Sequence, residues 1–174
     1  MELQQAITGR RSIRRYTDRD VSDEQIRALL EAAYWAPRVN ERWNFIVVRD
    51  KATKDVLARG EPGGRPQPQA AAAPVDIVVC IDLRGASKRD RELYAMQEAS
   101  AAIQNILLKA YELGLGTCWI GSFDDEAVAE ALSLPEGVKP IAIISIGYPA
   151  EKGKGIRRKK LEEIVHRERW GNRF

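Results

Sequence analysis

The run from Arg89 to Leu113 constrains the fold most, because it is the longest stretch with one uninterrupted helical period. Met96, Ala99, Ile103, Ile106, Leu107, Ala110 and Leu113 recur at that spacing and form a broad apolar face, and Gly114 is placed to end the helix. A face this wide must be covered by other elements. Four short runs supply strands: Asn44–Arg49, which contains Phe45-Ile46-Val47-Val48, then Val75–Asp82, Thr117–Ile120 and Ile141–Ile146. Leu3, Ala6 and Ile7 predict a first helix that ends at an arginine cluster. A second helix opens at Ser22, where Gln25 completes a reciprocal capping box, and Pro37 stops it. Asp50–Ala58 predicts a third, and Asp124 caps a further helix through Leu132. The order α-α-β-α-β-α-β-α-β predicts a mixed α/β or α+β sheet covered by helices. Residues 60–74, rich in Gly, Pro, Gln and Ala, predict a loop or lid.

At 174 residues the chain is read as one domain, 1–174, with room for a real core. Its net charge of +3 is small and the charges are interspersed, which argues against a general nucleic-acid binder. No apolar run reaches the roughly 20 residues of a membrane span, and Met1–Gln5 lacks a signal peptide's apolar segment. Cys80 and Cys118 sit in separate apolar stretches and are expected as buried, reduced thiols of a cytoplasmic protein. His166 is the single histidine, so a zinc site is not expected.

Chemistry concentrates in three segments. Arg10-Arg11-Ser12-Ile13-Arg14-Arg15-Tyr16 carries four guanidinium groups and a hydroxyl. Such groups match phosphate oxygens in pairs and repel one another unless an anion lies among them, although a solvated helix end carries the same charges. Lys152–Lys160 is a second basic cluster, and the apolar Leu161, Ile164, Val165 and Trp170 after it are expected to dock on the chain's own body or on a partner subunit. Trp119-Ile120-Gly121-Ser122-Phe123 is a strand end at which Gly121 lets a flat ligand approach the backbone. Gly114-Leu115-Gly116 follows a helix and precedes a strand, the reverse of a dinucleotide fingerprint. No nucleophile–base pair stands out, so an enzyme built on this chain relies on a cofactor.

Arg10–Tyr16, Ala36-Pro37 with Asn40 and Trp43, Ala101–Leu108 with Gly114–Gly121, and Gly147-Tyr148-Pro149 with Arg158–Val165 together resemble the nitroreductase family of flavin-dependent oxidoreductases. The resemblance spans nearly the whole chain. It implies an α+β fold with a central mixed sheet, an intertwined homodimer with the C-terminal tail docked on the partner, and two FMN molecules at the interface. It further implies that Arg10, Ser12 and Arg14, with Arg11 beside them, hold the flavin phosphate and ribityl end, and that Arg158 and Lys159 reach the same phosphate. Gly121 or its neighbours Ile120 and Ser122 offer an N–H to flavin N5, and Gln67 lies near the ring. Pro37, Arg38 and Asn40 also belong to the implied site. No side chain is assigned a catalytic role.

The segment Ala36–Trp43 is about two residues shorter than the family pattern and lacks its Ser, Gln and Pro. Arg38 and Arg42 leave an anionic substrate and simple solvation equally open. The implied activity is hydride transfer from NADH or NADPH to FMN, then to a nitroaromatic, quinone or similar small-molecule acceptor by ping-pong turnover. The alternatives are a flavin-using relative that performs dehalogenation or flavin fragmentation, and a non-catalytic anion or nucleic-acid binding module.

Overall fold

The computed structural model describes residues 1–38, 40–87 and 93–174. The elements run α1 (Leu3–Gly9), α2 (Asp23–Tyr34), β1 (Trp43–Val48), α3 (Lys51–Leu57), α4 (Pro68–Ala72), β2 (Val75–Asp82), α5 (Ala95–Glu112), β3 (Gly116–Ile120), α6 (Asp125–Ala131), β4 (Val138–Gly147) and α7 (Leu161–Ile164). The capping box forms as expected: Ser22 accepts from the Gln25 N–H at 3.3 Å, and the Gln25 side chain accepts from the Ser22 N–H at 3.1 Å. Gly114 ends α5 in the left-handed region, at φ 73°, and the Leu115 N–H closes the turn on the Ala110 carbonyl at 2.8 Å. The expected start of the long helix at Arg89 lies outside the described residues.

The strands lie in the order β1-β2-β4-β3, and all three ladders are antiparallel. The expectation of a mixed sheet is corrected accordingly. Among the described residues, the parallel pairing is a single bridge between Ser12 and Thr117. A register shift at Val79/Cys80 passes over Ile141 and lets Pro140, which has no N–H, sit in β4.

β2 is buried on both faces. Val75, Ile77, Val79 and Ile81 pack with α2 and α5, against Leu29, Ile103 and Ile106. Val78 and Cys80 face Leu57, Ala70 and Val128 on the opposite layer. Each large side chain buried in this way contributes about 1.5–3 kcal/mol.

Residues 60–74 are not loop throughout. Pro68 opens α4, where its missing N–H costs nothing, and Ala70 and Ala73 are fully buried. The alanines make a small packed helix because they lose no side-chain entropy on burial. The tail after Gly153 behaves differently. Ile156, Leu161, Ile164, Trp170 and Phe174 are all exposed, Trp170 to 91%. Hydrogen bonds of residues 160–174 run within that stretch, from Arg173 to the Glu162 and Glu163 carbonyls, and the His166 ring lies 4.3 Å from that of Trp170.

Candidate functional site

The arginine segment is held along the β3 edge by backbone bonds on both sides. The Ile13 N–H donates to the Thr117 carbonyl at 2.8 Å, beside the Ser12–Thr117 bridge. On the other side the Thr17 N–H donates to the Tyr148 carbonyl and the Ala150 N–H to that of Arg15, each at 2.9 Å. Glu151 accepts the Arg14 N–H at 2.9 Å. Arg10 and Ser12 are half-buried, while the Arg14 side chain is exposed. Arg11 turns back, donating to the Thr8 and Arg10 carbonyls at 2.6 and 2.8 Å, where it satisfies the end of α1. A cleft of about 570 Å³ adjoins the segment, lined by Arg10, Arg11, Gly116, Thr117 and Lys152 among others.

At the far end of β3, Ile120 is buried and Gly121 is exposed, and a Cβ built on Gly121 would meet nothing within 4 Å. Ser122 donates to the Glu61 carboxylate at 2.9 Å, tying the Gly-rich loop to this turn. Gln67 precedes α4, and its side-chain oxygen accepts from Gln69 at 2.8 Å. Ser12 thus lies at the start of β3 and Gly121 and Ser122 just past its end, with Gln67 leading into α4, whose Ala70 packs with Cys118 and Ile120 of that strand.

Beneath them lies a polar row. In the sheet register Asp76, Ser145 and Cys118 stand side by side on β2, β4 and β3. Tyr16 donates to the Ile13 carbonyl at 2.6 Å and lies 2.8 Å from the Ser145 hydroxyl, which fixes the bend of the arginine segment. Burial pushes the Tyr16 phenol above its ordinary value, more than the Ser145 bond lowers it. Asp76 is fully buried, and neither carboxylate oxygen has a hydrogen-bond partner among the described residues. Burial drives its carboxyl well above the ordinary range, opposed by the charge of Lys54. Lys54 is itself buried and donates to the Ala73 carbonyl. Burial also raises Cys118, partly offset by Arg14 and Gln69.

Pro37, Arg38 and Asn40 lie elsewhere. Their loop leads into β1, at the opposite edge of the sheet from β3. Three strand spacings separate those edges, about 14 Å. Arg38 pairs with Glu41 at 2.6 Å on the surface, and the Asn40 N–H donates to Glu98 at 2.7 Å. Arg158 and Lys159 are exposed on the tail. The chain thus places the Arg10–Arg14 segment at the start of β3 and Gly121 just past its end, and leaves Pro37–Asn40 at the opposite sheet edge and Arg158 and Lys159 on the exposed tail. Sequence reasoning passed over Glu98, Asp76 and Lys54. For the first two the signal was present: each is a charged residue on an otherwise apolar face, Glu98 among Ala95, Ala99 and Ala102, and Asp76 in line with Val78 and Cys80.

An antiparallel four-stranded sheet covered by helices, with a basic segment bonded at the start of its β3 edge strand and an open glycine just past that strand's end, is an α+β architecture. The model of the nitroreductase family matches residues 7–62 and 61–148. A Methanothermobacter thermautotrophicus protein, provisionally described as an NADH dehydrogenase/NAD(P)H nitroreductase, is 40% identical over 98% of this chain and 88% of its own length. The FMN reductase [NAD(P)H] of Bacillus subtilis is 30% identical over 98% of this chain and 75% of its own. The solved FMN-dependent nitroreductase of Clostridium difficile superposes with a TM-score of 0.83 at 32% identity, covering 96% of this chain and 99% of that one. The chain belongs to the nitroreductase family.

Proposed function

We propose that the protein is an FMN-dependent NAD(P)H oxidoreductase of nitroreductase type, a single domain over 1–174 that works as a homodimer. The observation that carries this reading is the arginine segment bonded to Thr117 at the start of β3, with the open face of Gly121 at the other end of the same strand. The residues present fit FMN. Arg10 and Arg14 supply charge for a dianionic phosphate and Ser12 a hydroxyl for it or the ribityl chain. Gly121 leaves space for a flat ring to meet backbone amides, and Gln67 offers an amide beside it. When bound, FMN supplies the centre at N5 that couples NAD(P)H oxidation to reduction of a nitroaromatic, quinone or similar acceptor, in ping-pong order.

The chain's own residues bind, orient and tune. An N–H donated from the Ile120–Ser122 turn favours negative charge developing on the ring. Because Pro37, Arg38 and Asn40 lie at the other sheet edge, they complete the site of a second copy rather than their own. The exposed tail is the natural carrier of Arg158 and Lys159 to that same copy, since its apolar side chains find no cover on the protomer that bears them. The reading is tested by the visible spectrum of the purified protein, by FMN titration and by NAD(P)H oxidation. Bound flavin in the wild type, and a loss of FMN affinity of at least tenfold in the Arg10→Ala/Arg14→Ala variant, are expected. A colourless protein that neither binds added FMN nor oxidises NAD(P)H refutes it.

A further inference from the structure

Glu98 lies in the first turn of α5 with only 4% of its surface exposed. Its two carboxylate oxygens hold different backbone groups. One accepts the Asn40 N–H at 2.7 Å and the other the Arg42 N–H at 3.3 Å. Between these two amides sits Glu41 at φ 51°, a left-handed conformation that a residue with a Cβ adopts only under constraint. The carboxylate therefore grips the backbone on either side of the left-handed Glu41. Arg42 adds a second anchor, donating from Nη1 to the Asp82 and Arg84 carbonyls at 3.1 Å each. Glu98 also lines a cavity of about 210 Å³ together with Pro37, Arg38, Tyr94, Gln97 and Ala101.

We infer that Glu98 is a positioning residue, whose carboxylate, through the Asn40 and Arg42 N–H groups, sets the shape of the Asn40–Arg42 turn within the shortened Ala36–Trp43 segment and so the surface that turn presents to the flavin ring and substrate. The inference rests on the proposed flavin site for its functional half. Its structural half stands on the hydrogen bonds alone. A charged acceptor suits this role, because bonds to an ionised group are shorter and stronger than neutral ones. A shorter loop has fewer residues over which to spread the turn. The left-handed Glu41 and its carboxylate grip are the means by which this chain makes that turn.

The experiment compares the wild type with Glu98→Gln and Glu98→Ala. Amide hydrogen exchange is followed in peptides covering 37–43 and 10–17, and affinities for FMN and for riboflavin, which lacks the phosphate, are measured alongside. Glu98→Ala should speed exchange at Asn40 and Arg42 by about tenfold, the loss of one strong hydrogen bond, and leave 10–17 unchanged. It should weaken FMN and riboflavin by the same factor, because the loop acts on the ring side and not on the phosphate. Glu98→Gln keeps one acceptor oxygen and should fall between the two, and it carries the comparison if Glu98→Ala fails to fold. Unaltered exchange over 37–43 overturns the inference, as does faster exchange with both flavin affinities intact. If the wild type binds neither flavin, the proposed function fails on its own, and the exchange data still decide whether Glu98 shapes the loop.

Discussion

Gly116→Ala tests how the arginine segment is seated. A Cβ at Gly116 would lie 2.8 Å from Ile13 Cβ and Cγ1 and 2.9 Å from Cγ2. Carbon atoms in contact sit about 3.5–4.0 Å apart, so Ile13 must retreat by roughly 1 Å. A rotamer change cannot supply that movement, because the clashing Ile13 Cβ is fixed to the backbone. The backbone of Ser12–Arg14 must therefore shift, and the Ile13–Thr117 hydrogen bond, 2.8 Å long, stretches with it. Overpacking of this kind costs about 1–3 kcal/mol, and the weakened hydrogen bond adds about 0.5–1.5 kcal/mol. Together these predict a destabilisation of roughly 2–4 kcal/mol, or a fall in Tm of about 4–15 °C for a chain of this size. Thermal melting of the FMN-free protein reads the first effect. FMN titration reads the second, a loss of at least about tenfold as Ser12 and Arg14 leave register, since misplacement by an ångström is costly in a preorganised site. A variant that melts within about 1 °C of the wild type and binds FMN unchanged refutes the claim that β3 seats this segment.

Gly121→Ala makes the opposite prediction: with nothing within 4 Å of the new Cβ, FMN-free stability should stay within about 0.5 kcal/mol of the wild type while FMN affinity falls. An unchanged affinity removes Gly121 from the ring's path. Asp76 carries a pH prediction. Its folded pKa is raised by burial, so the folded state holds the proton after the unfolded chain has released it. The resulting stability is fully present below the ordinary carboxylate pKa and is lost as pH rises through the folded value. Urea unfolding across that range should show this decline in the wild type and a flatter profile in Asp76→Asn; equal slopes reject the assignment. The thiols give a fourth test. Burial raises Cys80 to about 11 and Cys118 above its ordinary value, so both should resist a thiol-reactive dye at about pH 8 until the protein unfolds. Rapid stoichiometric labelling of the folded chain contradicts their burial.

The elements with strong local signals were legible in the sequence. The Ser22–Gln25 box, the strands and the α5 face from Ala99 to Ala110 rest on neighbouring residues and formed within a few positions of expectation, whereas Met96, expected on that face, is exposed. Strand direction was not legible, because alternation and length are the same in parallel and antiparallel ladders. α4 was hidden by composition: Pro-Gln-Pro-Gln followed by four alanines looks mobile until the alanines find a buried surface. The row of Asp76, Ser145 and Cys118 depends on register between strands distant in sequence, which no local pattern carries. The same holds for the site. The arginine cluster announced itself, but its seat on Thr117 and the remoteness of Pro37–Asn40 emerge only from the strand order.

The seat of the arginine segment also sets an order of assembly. Residues 10–17 are synthesised about a hundred residues or more before their partners, Thr117 on β3 and the Tyr148–Ala150 stretch after β4. Until those partners emerge, the segment has no ladder to join, and closing so long a span of chain is slow. Its mutually repelling positive charges keep it in water during that wait and away from the apolar strands forming behind it. The arginine segment is thus among the last parts of the chain to be placed, and the nascent chain acquires this basic edge only when the sheet is complete.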